Sequence, residues 1–347
     1  MYIKKILLAV ALIGLVVAGI FAYLIYDALL TPNTSFKNEE AFVYIPTDTS
    51  FEELIPLLQP LLKDVGNFEM VAKRKQYDNR VRGGKYILKK NMSNNDIVNT
   101  LRSNNIPVKV SFNNQETLEK LASRISTQIE ADSVSLLSSF TEEAFLTAND
   151  LTSETALSIY IPNSYEFFWN TSGTEFRDRM LKEYNSFWNK DRLAQSKEIG
   201  LSPKEVIALA AIVQKETAKV DERPRVAGLY LNRLNSKMLL QADPTVIYDI
   251  KKQSGNFDTI IKRVLYKDLE LKSPYNTYKY SGLPPGPITM PDISSIDAVL
   301  KPEKHEYYYM VVNVKDFGYH MFAKSLTQHN RNKEQYIRWI NEQKIMR

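Results

Sequence analysis

The longest unbroken apolar stretch of the sequence lies near the N-terminus. Residues 6–26 read ILLAVALIGLVVAGIFAYLIY and contain no charged side chain. A helix of this length spans roughly 30 Å, which matches the hydrocarbon core of a bilayer. Tyr23 and Tyr26 stand where a signal peptide would carry the small residues of a cleavage site. The pattern therefore favours an uncleaved transmembrane signal anchor over a cleaved signal peptide.

The charges beside this stretch predict its orientation. Lys4 and Lys5 precede the apolar residues, and positively charged flanks stay in the cytoplasm. Residues 1–5 are therefore predicted to be cytoplasmic, and the chain after Asp27 to lie on the extracytoplasmic (periplasmic) side of the cytoplasmic membrane. Within residues 27–40, the segment TPNTS at 31–35 and the mostly polar residues after it predict a linker.

Beyond the linker, two short apolar runs are each followed by a helical pattern. Residues 41–45 and 85–88 predict strands, whereas residues 50–62 and 93–101 predict helices, the second of them capped by Ser93. The order strand, helix, strand, helix predicts a small α+β module.

A second domain is predicted to begin after Pro107. Proline ends the regular structure before it, and residues 108–112 predict a new strand that leads into another helical pattern. We expect a small module over residues 41–107 and a larger α+β domain over residues 108–347. The predicted fold class is α+β, with a single N-terminal transmembrane helix.

The clearest helix of the larger domain begins after Ser202. Ser202 is a candidate N-cap, Pro203 occupies the first helical position, and Glu205 completes a capping box. The apolar stripe of this helix leads to Glu216, which lies one turn after Ile212 on the same face. Burial at this position would raise the pKa of the Glu216 carboxyl group toward the range where it donates a proton near neutral pH.

The same position also suits a structural glutamate. A carboxylate in the last turn of a helix is often exposed or paired with a neighbouring cation. The cations available nearby are Lys215, Lys219, Arg223 and Arg225. The helix pattern by itself therefore makes Glu216 only a candidate for catalysis.

Composition excludes several classes of protein. The 347 residues include 45 Lys and Arg against 40 Asp and Glu, and this mild excess is spread along the chain, so nothing favours nucleic-acid binding. The sequence has no cysteine, which excludes disulfides, thiolate metal sites, cysteine nucleophiles and a lipoprotein anchor. The histidines at 305, 320 and 329 do not have the spacing of a known metal motif, so no metal site is expected.

Several motifs together resemble the endolytic murein transglycosylases of the YceG-like family. They are AIVQKET at 211–217, NRL at 232–234, LQADPTVIY at 240–248, YNTY at 275–278 and GLPPGPI at 282–288, with weaker matches at 320–322 and 329–330. The resemblance covers the chain from about Pro107 to its C-terminus. Members of that family carry one membrane helix and a LysM-like module before the catalytic domain, which agrees with the predicted organisation.

The resemblance implies a lytic reaction without a metal or organic cofactor. The catalytic glutamate of the family aligns with Glu216, which would protonate the oxygen that links N-acetylmuramic acid to N-acetylglucosamine. The muramyl 6-hydroxyl would then attack its own anomeric carbon and leave a 1,6-anhydro end. One carboxyl group suffices because the nucleophile belongs to the substrate. Glycan strands of peptidoglycan are the implied substrate, and peptidoglycan synthases at the membrane are implied partners.

Side chains able to hydrogen-bond or stack on sugars are concentrated in the later motifs. The candidate substrate-binding residues are Gln241, Asp243, Thr245, Tyr248, Tyr275, Asn276, Tyr278, His329 and Asn330. Asp243 suits equally well the N-cap of a helix with Pro244 at its first position. His320 falls in a predicted hairpin and His329 before a predicted C-terminal helix; structural hydrogen bonding is the default for His320, and substrate contact is favoured only for His329 and Asn330.

Two departures from the family pattern stand close to these motifs. The family often has an acidic residue two positions before its catalytic glutamate, where this sequence has Gln214. A family signature of glycine and an acidic residue around Pro-x-Thr-Tyr reads YIPNSYE at 160–166, in which Glu166 is the neighbouring candidate for the missing acid.

Two other functions fit the same residues. A water-using muramidase would employ Glu216 as acid and Asp243 or Glu222 as base, and would leave reducing ends. A wall-binding scaffold without catalysis would keep its function after Glu216→Gln. Product chemistry therefore separates the enzymes from each other, and this substitution separates both from the scaffold.

Overall fold

The computed structural model describes residues 2–261 and 263–342. Helices dominate these residues, and the strands pair in twos, β1 with β2, β3 with β4 and β5 with β6. The helices are α1 (Tyr2–Leu30), α2 (Phe51–Leu58), α3 (Val65–Arg74), α4 (Asn94–Ser103), α5 (Leu118–Ser126), α6 (Ser133–Phe140), α7 (Glu143–Ala148), α8 (Gly173–Phe187), α9 (Lys190–Glu198), α10 (Pro203–Glu216), α11 (Arg223–Asn235), α12 (Asp243–Ser254), α13 (Ile293–Leu300) and α14 (Leu326–Glu342). The strands are β1 (Glu40–Ile45), β2 (Gly84–Lys89), β3 (Pro107–Phe112), β4 (Asn163–Phe168), β5 (Tyr309–Val312) and β6 (His320–Ala323). The prediction of a mixed helix and strand fold is confirmed.

The chain divides into two compact units, and the division passes through β3 and β4. The first unit comprises Met1–Val110, Thr127–Ala131 and Tyr165–Ser172, and the second comprises Ser111–Ser126, Asp132–Ser164 and Gly173–Arg347. Each unit therefore receives segments from more than one part of the sequence.

In the first unit, β1 and β2 form an antiparallel pair whose inner face is apolar. Val43 and Ile45 of β1 are buried with Tyr86 and Leu88 of β2 in one core with α2, α3 and α4. The predicted strands and capped helices are confirmed, including Ser93 as the N-cap of α4. The sequence pattern does not predict helix α3, because its few buried residues are separated by polar residues and follow a glycine. Packing of these buried side chains in the core stabilises the helix.

Helix α1 includes the predicted anchor. Among the described residues it is the helix long and apolar enough to cross a membrane, and its hydrophobic side chains are exposed along most of its length. Its C-terminal end joins the core of the first unit, where the carbonyl oxygen of Ala28 accepts a 2.8 Å hydrogen bond from the buried Asn94 side chain.

In the second unit, α10 is the central helix. It is buried on all sides from Val206 to Val213, and it packs with α11, α13 and the β5–β6 hairpin around one apolar core. The predicted Ser202 capping box with Pro203 and Glu205 is confirmed. Since the first N–H groups of a helix have no partners within the helix, this box satisfies some of them and fixes where α10 begins.

The C-terminal helix begins earlier than predicted. Helix α14 starts at Leu326, so His329 and Asn330 lie within its first turns rather than before it. The backbone N–H of His329 donates to the carbonyl oxygen of Ser325 at 3.0 Å. This hydrogen bond closes the first turn of α14 and includes His329 in it. The predicted hairpin that carries His320 is confirmed, with Val312 opposite His320.

Candidate active site

Glu216 is the last residue of α10 and keeps part of its surface accessible to solvent. The buried Tyr230 of α11 donates a 2.6 Å hydrogen bond from its hydroxyl group to Oε1 of Glu216. Helix α11 brings Tyr230 there because its neighbours on the helix pack into the same core as the apolar stripe of α10. The carboxyl group therefore lies at the edge of a core with one oxygen held by a neutral phenol.

The cations that flank Glu216 in the sequence have other partners. Lys215 pairs with Glu116, Arg223 with Asp292, Arg225 with Glu303, and the Lys219 ammonium lies over the Tyr319 ring. This arrangement does not support the alternative in which Glu216 serves as a surface ion-pair partner.

Burial raises the pKa of the Glu216 carboxyl group to about 7. The hydrogen bond from Tyr230 and the positive charges of His320 and Arg233 act in the opposite direction, while the negative charge of Asp243 adds to the rise. The direction agrees with the one predicted from the helix pattern. A carboxyl group with this pKa is protonated in a large fraction of molecules at neutral pH and can act as a general acid.

A second glutamate close by has the opposite character. Glu222 is buried and accepts two hydrogen bonds from His320, at 2.7 Å from the backbone N–H and at 3.0 Å from Nδ1. Burial favours the protonated form of Glu222, but the hydrogen bonds from His320 and Thr217 outweigh burial and lower its pKa. An ionised Glu222 thus holds the first residue of β6 next to the turn that follows Glu216.

Arg233 of α11 contacts the Tyr309 ring, which in turn stacks on His329 of α14. Its guanidinium group donates to the carbonyl oxygens of Tyr308 and Leu240 at 2.6 and 2.7 Å, and lies 5.5 Å from the centre of the Tyr309 ring. The same ring stacks on His329 at 5.3 Å. Burial, together with the charges of Lys333 and Arg233, lowers the pKa of His329. The predicted contact residue His329 is therefore favoured in its neutral form, beside an exposed Asn330.

Asp243 begins α12 and accepts a hydrogen bond from the Tyr278 hydroxyl group. Ala242 is the N-cap residue of α12, so the alternative interpretation of Asp243 as the N-cap is wrong by one residue. The helix does have proline near its start, as expected. Burial and the bond to Asp243 raise the pKa of Tyr278. The side chains of Asp243 and Tyr278 both remain at least partly accessible to solvent. The negative charge of Asp243 is close enough to raise the pKa of Glu216.

Thr245 and Asn276 use their polar atoms within the protein. Thr245 is fully buried and its hydroxyl group donates to the Ala242 carbonyl oxygen at 2.8 Å. The Asn276 amide donates to Leu269 and Leu271 and accepts from the Tyr278 backbone N–H. These contacts shape the loops that present Gln241 and Tyr278, and Gln241 itself is exposed.

Tyr248 and Tyr275 pack on each other with ring centres 4.8 Å apart. Tyr275 is buried, whereas Tyr248 is only partly covered and lines an open groove of about 440 Å³ together with Lys215 and Lys251. Glu116 pairs with both lysines on the wall of this groove. Of the two rings, Tyr248 is the one placed to contact a ligand.

Gln214 is held by partners that explain why an amide fits this position. Its Nε2 donates to Asp292 Oδ2 at 3.0 Å, and its Oε1 accepts from the Ser295 hydroxyl group at 2.6 Å. An acidic side chain at 214 would place two carboxylates against each other, which is unfavourable without a shared proton. The proline-rich segment at 283–288 has no regular secondary structure, and Glu166 is exposed on β4.

Tyr230 is the main contact of Glu216 that the sequence pattern did not single out. It lies in α11 two residues before the NRL motif, where its pattern indicates one more aromatic residue of the core. The sequence suggests Glu222 only as a base for water, and no local pattern indicates its pairing with His320. The Tyr230–Glu216 contact depends on the packing of α11 against α10, and the His320–Glu222 contact depends on the packing of the β5–β6 hairpin. In the sequence, the concentration of motif residues around α11 is the signal that points to this region.

Comparison with known proteins gives consistent matches over most of the chain. The profile of the YceG-like family matches residues 43–335. A Bacillus subtilis protein named endolytic murein transglycosylase is 30% identical over 349 residues, which cover 94% of this chain and 93% of that protein. A protein of the same name from Streptococcus pneumoniae serotype 2 is 27% identical over 92% of this chain, which spans 62% of the length of that relative.

A solved structure has the same fold. The 2.6 Å crystal structure of a putative YceG-like protein from Listeria monocytogenes superposes with a TM-score of 0.56 at 28% identity, and the match covers 85% of this chain and 99% of that chain.

Proposed function

This chain belongs to the YceG-like family, and from that premise we propose that it is an endolytic lytic transglycosylase that cuts the glycan strands of peptidoglycan, with Glu216 as its catalytic acid. The observation that carries the proposal is the environment of Glu216, a partly accessible carboxyl group whose pKa is raised to about 7 and whose Oε1 is fixed by Tyr230. A proton donor of this kind is what cleavage of a glycosidic bond requires.

The reaction uses Glu216 twice. The protonated carboxyl group donates its proton to the oxygen between N-acetylmuramic acid and N-acetylglucosamine as the bond from C1 to that oxygen breaks. The muramyl 6-hydroxyl oxygen then bonds to C1, and its proton passes to the Glu216 carboxylate. The products are a free 4-hydroxyl group on one fragment and a 1,6-anhydro-muramyl end on the other, with no water consumed and the acid restored. Such cuts within nascent strands would terminate their elongation.

The other candidate residues divide into two roles. The accessible side chains of Gln241, Asp243, Tyr248, Tyr278 and Asn330 are assigned to sugar contacts, together with the neutral imidazole of His329. A second group, Thr245, Tyr275 and Asn276, is assigned to holding these residues in place. The support for this division is the accessibility of the first group and the internal hydrogen bonds or burial of the second.

The organisation around the site is part of the proposal. Residues 6–26 cross the cytoplasmic membrane of a bacterium once, residues 1–5 face the cytoplasm, and the rest is extracytoplasmic. Residues 27–40 link this anchor to a LysM-like module over residues 41–107, which precedes the catalytic domain over residues 108–347. The apolar length of α1 and its preceding lysines support this arrangement. Peptidoglycan synthases at the same membrane are the proposed protein partners.

Mass spectrometry of uncrosslinked glycan strands after incubation with the full chain in detergent tests the function. The natural chain should produce internal cuts that end in 1,6-anhydro-muramyl groups, and Glu216→Gln should produce none. Glu198→Gln, which changes an exposed carboxylate on α9, is the matched control and should cut normally. Reducing ends instead of anhydro ends would identify a muramidase, and a folded chain that binds but never cuts would be a scaffold.

A further inference from the structure

The open groove of about 440 Å³ in the second unit adjoins the candidate active site. Two residues that line it are sequence neighbours of the site: Lys215 precedes Glu216, and Pro244 follows Asp243. Asp243 is itself close enough to Glu216 to raise the pKa of its carboxyl group. A ligand bound at Glu216 can therefore extend into this groove.

Two lysines share one carboxylate in the groove. Nζ of Lys215, in the last turn of α10, donates to Oε1 of Glu116 at 2.6 Å, and Nζ of Lys251, in the last turn of α12, donates to Oε2 at 2.8 Å. Burial favours the protonated form of Glu116, but the hydrogen bonds from both lysines outweigh burial and lower its pKa. Glu116 is thus ionised at neutral pH, and the cluster keeps one positive charge in excess.

The neighbouring charges leave this excess in place. Asp258 also lines the groove, but it pairs with Lys120 of α5. Each lysine ammonium group has three N–H donors, and Glu116 accepts one from each lysine of the cluster, so further donors can bind an anion. The Lys251 side chain is only 13% exposed, so water screens its charge incompletely.

Apolar side chains form the rest of the groove. Ile247, Phe257 and the buried Ile288 line it. The Phe257 ring packs on that of Tyr248, a proposed sugar contact, with ring centres 5.6 Å apart. The groove therefore offers an apolar surface and a cationic cluster, both adjoining the sugar contacts. We call the part of the groove formed by Lys215, Ile247, Lys251, Phe257 and Ile288 the side groove.

The chemistry of the side groove suits the stem peptide of peptidoglycan better than its sugars. The sugars of a strand are neutral, since each lactyl carboxyl group is used in an amide bond to a stem. Stem peptides carry alanine methyl groups and free carboxylates, which match an apolar surface beside two lysines. The muramyl residue that reacts at C1 carries its stem on O3 of the same ring, so that stem starts close to Glu216.

We propose that the side groove binds the stem peptide of the muramyl residue at the cleavage site, with Lys215 and Lys251 as the groups that bind a stem carboxylate. The inference rests on the proposed function for the position of that sugar. The protein then selects strands that still carry their stems, because a strand without stems loses these contacts. Lys251 is assigned as a specificity-determining residue.

Cutting rates on two kinds of uncrosslinked strand test the proposal: strands with intact stems and the same strands after an amidase has removed the stems. The full chain in detergent should show a kcat/KM on the order of tenfold higher for stem-bearing strands. Lys251→Gln should bring this ratio close to one, whereas Lys251→Arg keeps the charge and should retain most of it. Lys197→Gln, which changes an exposed lysine of α9, is the matched control and should keep the full ratio.

A third substrate isolates the charge of the stem, because strands without stems gain a free lactyl carboxylate. Strands whose stem carboxylates have been converted to amides should be cut by the natural chain several-fold more slowly than untreated stem-bearing strands. This comparison needs no variant, so it tests the proposal even if Lys251→Gln does not fold. Equal kcat/KM for treated and untreated strands would overturn the proposal.

Two other results bear on the role of the cluster and on the enzyme. A ratio that Lys251→Gln leaves unchanged would also overturn the proposal, since a cluster that only joins α10 to α12 affects stability and not substrate choice. In a Glu216→Gln background, stem-bearing strands should bind more tightly than strands without stems, and Lys251→Gln should abolish the difference. That binding result with a natural chain that makes no anhydro ends would uphold the side groove and refute the proposed enzyme.

Discussion

Two glutamates lie on either side of the turn that joins α10 to α11, and the protein gives them opposite acidities. Glu216 meets one neutral donor, the Tyr230 hydroxyl group, and its pKa rises to about 7. Glu222 is also buried, yet it meets two N–H groups of His320 and its pKa falls. Burial alone therefore does not set the protonation state; the number and charge of the donors decide it.

This difference separates an acid from a structural anchor. Under the proposed function, Glu216 keeps a proton to give to the substrate, whereas Glu222 stays ionised and ties the β5–β6 hairpin to the start of α11. Neighbouring carboxyl groups whose pKa values are pushed apart are a common basis for assigning roles in acid catalysis. The same contrast argues against Glu222 as the base of a muramidase, since its oxygens already have partners.

The largest expected effect comes from removing the acid. Glu216→Gln should lower the rate of strand cutting by roughly 10²–10⁴-fold, because an amide is far too weak an acid to transfer a proton to the glycosidic oxygen. Release of anhydro-muramyl ends measures this loss. A variant that cuts at the natural rate would remove Glu216 from the mechanism.

The same substitution should raise stability at alkaline pH. The pKa of Glu216 is about 7 in the folded chain and about 4.3 in the unfolded chain. Between these pH values the folded chain holds a proton that the unfolded chain has lost, so the free energy of unfolding falls as the pH rises from about 4.3 to about 7. Glu216→Gln should therefore be more stable than the natural chain by about 1–3 kcal/mol at pH 8, and indistinguishable from it at pH 4. Urea unfolding at both pH values measures the difference.

Removing the partner of Glu222 should have the opposite effect on stability. His320→Ala leaves the buried Glu222 carboxylate with fewer donors and should cost about 1–3 kcal/mol at pH 7. Because the pKa of Glu222 is lowered in the folded state, this cost should shrink as the pH falls below about 4.3. Lys324→Ala, which breaks the exposed pair with Glu306, is the control and should leave stability nearly unchanged, because solvent screens the pair.

A smaller change tests the Tyr230 hydrogen bond. This bond favours the ionised form of Glu216, so Tyr230→Phe should raise the pKa of Glu216 and move the alkaline limb of the pH–rate profile to higher pH. Stability should fall by only about 0.5–1.5 kcal/mol, since the ring remains in the core. A limb that stays in place or moves to lower pH would contradict the assigned role.

The smallest expected effect concerns Asp243. Its negative charge contributes to the raised pKa of Glu216, so Asp243→Asn should shift the alkaline limb slightly to lower pH. The shift should weaken with added salt, because Asp243 is exposed. Asp191→Asn on α9 serves as the matched control and should leave the limb unchanged. A shift of equal size in both variants would indicate a change in net charge alone.

The sequence by itself determined the features that depend on neighbouring residues. The long apolar helix near the N-terminus, the caps at Ser93 and Ser202, and the placement of Glu216 on the apolar face of α10 follow from periodicity and from side chains that bond their own backbone. These interactions reach at most one turn along the chain, so a local pattern contains all their partners.

Only the tertiary structure decided how acidic each carboxyl group is. Tyr230 reaches Glu216 because α10 and α11 share a core, and His320 reaches Glu222 from a hairpin far along the chain. The start of α14 and the presence of α3 likewise depended on packing and not on a strong local signal. Desolvation and hydrogen bonding act through space, so the pKa values that assign the acid and the anchor emerge only once distant segments are brought together.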